Sequence, residues 1–215
     1  MTSRLIRRTV RLLPLMLASA GLLGATACAP LIFGGAALGV LSATDRRTSG
    51  TQLEDEGIEL RSGSRLREAL GERGHVNVTS YNRQVLLSGE VPNEQDRQLV
   101  EQIVAKVDNV RTVVNELAVL GNSTLGQRSS DSVVSGRVKA ALLEDKGVYV
   151  NAFKVVTERG IVYLMGRVTQ READIATQVT RTTTGVQKVV RVLELISEEE
   201  VKRYVPTTPG SEQKR

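Results

Sequence analysis

Apolar and polar residues fall into blocks along this chain, and most of the blocks occur twice. Val85, Leu87, Gly89 and Val91 occupy alternate positions, and so do Val162, Leu164, Gly166 and Val168. Alternation with period two predicts a half-buried strand. Asn82-Arg83 and Arg159-Gly160 stand just before these stretches and supply turn residues, so each block predicts a hairpin. Leu99, Val100, Ile103, Val104 and Val107 share one stripe of a helix predicted over about 93–107. Its counterpart runs from Thr169 to Thr182 and opens with Thr169 and Glu172 at capping-box spacing. A short amphipathic helix is expected before each hairpin, at Leu60–Leu70 and Val133–Leu143, and a Val-rich strand after each second helix, at Val110–Val119 and Val186–Ile196.

The duplication has a register. Val78, Val85, Leu87, Gly89 and Val91 fall on Val155, Val162, Leu164, Gly166 and Val168 at an offset of 77; Val113-Val114 falls on Val189-Val190 at 76. For the first helices, an offset of 72 places Leu66, Ala69 and Leu70 on Val138, Ala141 and Leu142, with about five extra residues before the hairpin of the second copy. Helix–strand–strand–helix–strand, run twice, predicts an α+β protein of two domains, each a three-stranded mixed sheet packed on two helices. The expected boundaries are 57–120 and 131–197, joined by a polar linker at 121–130 and followed by a C-terminal extension and tail at 198–215. Domains this small bury only about 60% of their unfolded surface, so docking of the copies would add stability.

Composition narrows the chemistry. Aromatics make up 3% of the 215 residues against 40% hydrophobic, so the core is aliphatic. The formal charge is +5, but Arg4, Arg7, Arg8 and Arg11 all precede an uncharged run, and the body beyond residue 27 is nearly neutral. A near-neutral body with few aromatics argues against nucleic acid as a partner. One His and one Cys exclude a two-His or Cys/His metal cage and an internal disulfide. No catalytic residue, metal ligand or cofactor site is expected, and His75 reads as an exposed turn residue. Glu54-Asp-Glu56 and Glu198-Glu-Glu200 read as solvated surface, and Gly89 and Gly166 as structural glycines that allow close approach.

Residues 1–27 carry the marks of a signal peptide: a basic start, an uncharged run from Leu12, and small residues at Ala25-Thr26-Ala27. Cys28 follows at once, and the stretch resembles a bacterial lipobox, with Ala25 where a bulkier aliphatic residue is usual. That resemblance implies diacylglyceryl and acyl groups on Cys28 and, with Ala29 next in line, sorting to the outer membrane. Residues 28–56 then form the lipidated anchor and linker. Two other readings stay open: cleavage at Ala-x-Ala without lipidation, and retention of Leu12–Thr44 as a membrane helix. Arg46-Arg47 could touch lipid headgroups or serve as a linker charge.

The phrases Val85-Leu-Leu-Ser-Gly89 and Val162-Tyr-Leu-Met-Gly166, with Thr169-x-Arg171-Glu172-Ala173, resemble the BON-domain family. Two copies behind a lipobox, with Asp45-Arg-Arg-Thr48 and Gly50-Thr-Gln52 between, resemble its outer-membrane lipoproteins. The resemblance implies a non-enzymatic protein on the periplasmic face of the outer membrane, supporting envelope integrity and outer-membrane assembly. It implies anionic phospholipid as the partner of the second domain, around its first helix. Under the 72-residue offset, Val133 and Val134 align with Arg61 and Ser62, and Leu143 with Gly71, so this helix has more apolar residues than a shared core needs. Val133, Val134, Arg137, Val138, Lys139 and Lys146 are therefore the candidate phospholipid-binding residues. The bland alternative is that Val133 or Val134 packs on the other domain or the linker. A second function also fits, an adaptor gripping envelope assembly proteins or a peptidoglycan-remodelling complex.

Overall fold

The structure is a computed structural model that describes residues 45–204. The expected signal peptide, Cys28 and the tail from Pro206 lie outside the described residues. In the first copy, α1 (Ser49–Leu70) leads into the hairpin of β1 (His75–Tyr81) and β2 (Gln84–Val91), followed by α2 (Glu94–Ala105), β3 (Thr112–Asn115) and β4 (Ala118–Val119). The second has α3 (Leu125–Glu144), a 3-10 turn at Val150–Ala152, β5 (Phe153–Glu158), β6 (Ile161–Val168), α4 (Gln170–Thr182) and β7 (Lys188–Leu195), with α5 (Glu198–Val201) after it. β2 and β6 are the middle strands, antiparallel to β1 and β5 and parallel to β3/β4 and β7. The last strand of the first copy is broken where Leu117 turns into the core.

Both first helices start earlier than their apolar residues suggest. α1 begins at Ser49, capped by Thr48, and α3 at Leu125, capped by the Thr124–Gln127 box, so the stretch read as a polar linker is largely helical. The reason is a buried carboxylate on an early turn of each helix. Asp131 accepts hydrogen bonds from the backbone N–H of Arg159 and Gly160, both at 2.8 Å. Asp55 does the same for Asn82 and Arg83, also at 2.8 Å, and takes the Ser80 hydroxyl at 2.6 Å. All four turn residues have positive φ, a left-handed turn whose N–H groups converge on one acceptor. Asp55 is thus 2% exposed, not part of a solvated acidic run.

These carboxylates correct the internal alignment. Asp55 and Asp131 are 76 residues apart, and the same offset relates the other buried positions, Ile58, Ser62 and Leu66 with Val134, Val138 and Leu142. The 72-residue offset is one helical turn out, because a stripe with four-residue spacing looks alike after a slip of four. The second copy has one extra residue before its hairpin, not five. At Gly89 and Gly166 an added Cβ would overlap the carbonyl oxygens of His75, at the start of β1, and Ala152, just before β5. His75 opens β1 and is half-buried, not an exposed turn residue.

The middle strands are buried on both faces, unlike the half-buried strands expected. One face carries Val85, Leu87 and Val91, or Val162, Leu164 and Val168, against the helices. The other carries Leu86 from the first sheet and Tyr163 and Met165 from the second, which join Tyr81 and Val192 in one shared cluster. The two sheets therefore pack face to face with helices outside. Burying Leu86 and Met165 fully stabilises by roughly 1.5–3 kcal/mol each. Desolvation pushes the Tyr81 and Tyr163 hydroxyls up to about 12.

Polar pairs rim this seam. Each hairpin turn reaches the opposite sheet: Asn82 Nδ2 donates to Glu194 at 2.7 Å, and Arg159 Nε to the fully buried Glu90 at 2.6 Å. Lys154 bridges back to Glu59 at 2.7 Å. The entering chain ties both domains. Arg46 makes a two-pronged pair with Glu172 at 2.6 and 2.7 Å, while Arg47 bonds Asp55 at 2.8 Å and lies over the Tyr81 ring. With Arg46 only 3% exposed, this pair is not a lipid headgroup contact.

The carboxylates predict the acid behaviour. Burial alone would raise Asp55, Glu90 and Glu172, but hydrogen bonds and cations hold all three below the usual range: Ser80 and the turn for Asp55, Arg159 for Glu90, Arg46 for Glu172. A lowered folded pKa gives stability that is present above the ordinary value, near 4, and lost as pH falls through the lowered one. Glu158 is shifted the other way, by burial first and then by the charges of Glu90 and Asp131. Glu158→Gln is therefore expected to raise the urea midpoint at pH 7 and to lose that advantage near pH 4. Asp55→Asn is expected to cost roughly 2 kcal/mol at pH 7, since the amide oxygen replaces only part of a charged acceptor. Urea titrations at both pH values check each outcome.

Candidate functional site

Asp131 sets the rotation of α3 and so decides which of its residues face out. Val134 and Val138 point into the core, 4% and 0% exposed, and are packing residues rather than lipid contacts. The one-turn slip set Val134 opposite Ser62 and so placed it outside; Val138, aligned with Leu66, was included only through its position on the basic helix. Val133, Arg137, Lys139 and Lys146 all lie on the surface.

The outward face of α3 has a consistent chemistry. Leu125, Ser129, Ser132, Gly136, Ala140 and Leu143 follow one another at three- or four-residue spacing and are all exposed. Small side chains occupy the middle of this line, and Leu125 and Leu143 its ends. Val133 adds apolar surface beside it and is 53% exposed; Leu143 is 71% exposed. Arg137 and Lys139 flank the line, and Lys146 stands just beyond the helix. Arg137 Nη1 reaches the Thr184 carbonyl at 3.4 Å, and none of the three cations forms an ion pair among the described residues. The acids on α3 are Asp131, consumed by the turn, and Glu144 at the last position. Unpaired cations around an exposed apolar line suit a negatively charged interface.

α1 provides the comparison. It also exposes two leucines, Leu53 and Leu60, but its surface carries Glu56 and Glu68 among the arginines. Arg61 reaches the Asp108 carbonyl as its counterpart Arg137 reaches that of Thr184, so the acids, not this contact, set the two helices apart.

Tyr149 was missed from sequence. It lies three residues beyond Lys146 and is 50% exposed, an amphipathic ring of the kind that sits at membrane–water boundaries. An aromatic residue near a strand start reads as core, and only its burial shows otherwise. The chain also enters the described fold beside α3: Asp45 and Lys139 line one cavity of about 490 Å³, with Tyr81 and Phe153. Among the described residues, no helix is long and apolar enough to cross a membrane, and no cluster of His, Cys, Asp or Glu could hold a metal ion.

Comparison with known proteins agrees with this architecture. The BON domain family profile matches residues 54–121 and 130–197, one stretch per copy. The outer membrane lipoprotein DolP of Haemophilus influenzae is 36% identical over 181 residues, covering 81% of this chain and 94% of that protein. A 21 kDa hemolysin of Actinobacillus pleuropneumoniae is 34% identical over 154 residues, covering 71% and 79%. A solved structure of CdsD, a structural protein of the type III secretion system of Chlamydia trachomatis, covers 74% of this chain and 99% of its own, with a TM-score of 0.29 at 16% identity. With two matched stretches that coincide with the two copies of the fold, and relatives aligned along most of its length, the chain belongs to the BON-domain family.

Proposed function

We propose that this protein is an outer-membrane lipoprotein facing the periplasm, held by acyl groups on Cys28, and that its second domain rests on anionic phospholipid through the outward face of α3. The observation that carries this reading is the face itself: Val133 and Leu143 exposed, with Arg137, Lys139 and Lys146 beside them and unpaired. Each cation near an anionic lipid surface contributes about 1 kcal/mol, and the exposed leucines add a modest apolar term. Such contact is weak alone. A chain already tethered to the same membrane sees lipid at high effective concentration, so weak contact suffices. The likeness to an outer membrane lipoprotein supports both the location and the anchor. A role in envelope integrity and outer-membrane assembly follows from the family resemblance.

Two measurements test this. Residues 45–215 are expected to float with vesicles containing phosphatidylglycerol or cardiolipin and not with neutral vesicles, and Arg137→Glu/Lys139→Glu to abolish flotation with an unchanged circular dichroism spectrum. Flotation that ignores vesicle charge, or survives the charge reversal, would remove α3 as the lipid-reading face. Separately, Cys28→Ala in the full chain is expected to release the protein from the membrane fraction and to end incorporation of labelled palmitate.

A further inference from the structure

The duplication compares two edge strands, and they are built differently. In the first copy the edge is broken into β3 and β4, four and two residues long. The break is sealed by side chains. Arg97 donates to the Asn115 carbonyl, the Asn115 amide donates to the Arg97 carbonyl, and Asn115 Oδ1 takes the Leu117 N–H. Short, interrupted strands of this kind protect an edge from pairing with other chains. In the second copy β7 runs unbroken for eight residues, paired along its full length with β6 on one side. Among the described residues no strand pairs with its other side. The chain after β7 turns away, with Glu200 and Tyr204 bonded to Arg167 on β6.

A groove follows this open edge. A cavity of about 610 Å³ lies between α4 and β7, with Val186 and Val189 as apolar surface. Arg181, Lys188 and Arg191 supply its charge, and no carboxylate lines it. Arg191 is paired at the rim with Asp174 at 2.9 Å; Arg181 and Lys188 form no ion pair among the described residues. The open backbone would bind an extended segment by main-chain hydrogen bonds, and alternate side chains of that segment would reach the groove.

We infer that β7 and the α4 groove form a strand-addition site for an extended, acidic peptide segment of a partner protein. The charge excludes the other occupants. A second copy paired antiparallel about the middle of β7 would set Arg191 against its own counterpart. The chain's own end, from Pro206, has Pro206 and Pro209 without N–H groups and finishes in Lys214 and Arg215. This site adjoins the α3 face only at Arg137, which reaches the Thr184 carbonyl, and it does not depend on the lipid reading.

The test uses the full chain in detergent micelles and fluorescence anisotropy. The probe is a labelled peptide of alternating Val and Glu, as long as β7, set against the same peptide with Lys for Glu. The acidic peptide is expected to bind and the basic one not. Arg181→Glu/Arg191→Glu, both exposed positions, is expected to weaken the acidic peptide by about tenfold or more, as lost charge complementarity implies. Lys139→Glu is expected to leave it unchanged. Hydrogen exchange on the unaltered protein gives a second readout that no folding defect can mimic, with added protection expected over 188–195. No binding, equal binding by the charge-reversed protein, loss with Lys139→Glu, protection elsewhere, or light scattering showing that β7 is already buried in a dimer would each overturn the inference.

Discussion

The interaction on which the rest depends is a buried aspartate on each first helix, accepting two N–H groups from a left-handed hairpin turn. It joins the helix to the sheet at one rotation and one height. For α3, Asp131 turns Val134, Val138 and Leu142 inward and leaves Val133, Arg137 and Lys139 outside. A charged acceptor with several N–H donors is far more specific in position than an apolar stripe, which packs almost as well one turn away. The candidate membrane face is a consequence of that registration.

Once each helix is set on one face of its sheet, the other face needs a cover. The copies supply it for each other through Leu86, Tyr163 and Met165. Neither sheet then has a solvated face, and the helices are left as the outer surfaces. Glu90, Arg159, Glu194 and Asn82 complete the seam with polar pairs at its rim, and the Arg46–Glu172 and Arg47–Asp55 pairs bind the incoming chain to both domains. A protein fixed to a membrane by its N-terminal region would carry any pull directly into this strap. The two copies differ at their surfaces: α1 exposes Glu56 and Glu68 where α3 has no acid between Asp131 and Glu144, and β7 is continuous where β3 and β4 are broken.

Much of this was legible in the residues. Alternation in Val85–Val91 and Val162–Val168 marked the middle strands, Thr169 and Glu172 the capping box, and the repeat itself the two domains. The face-to-face docking also left a trace, since Val162-Tyr-Leu-Met165 is apolar on both sides of the strand, and continuous apolar runs belong to strands covered on both faces. The first turns of α1 and α3 left almost none. Their buried residues come once per turn and begin with an aspartate, which in sequence looks like a solvated charge.

The sequence by itself determined the order of elements, their duplication and the basic character of α3. These follow from local periodicity and composition, which each short stretch carries alone. Only the tertiary structure decided that Asp55, Arg46 and Glu90 are buried, that Val134 and Val138 are core while Val133 is surface, and that the sheets close on each other. Those outcomes rest on partners up to 126 residues away, such as Glu172 for Arg46. The burial of a charge is decided by the group that meets it, not by its neighbours along the chain.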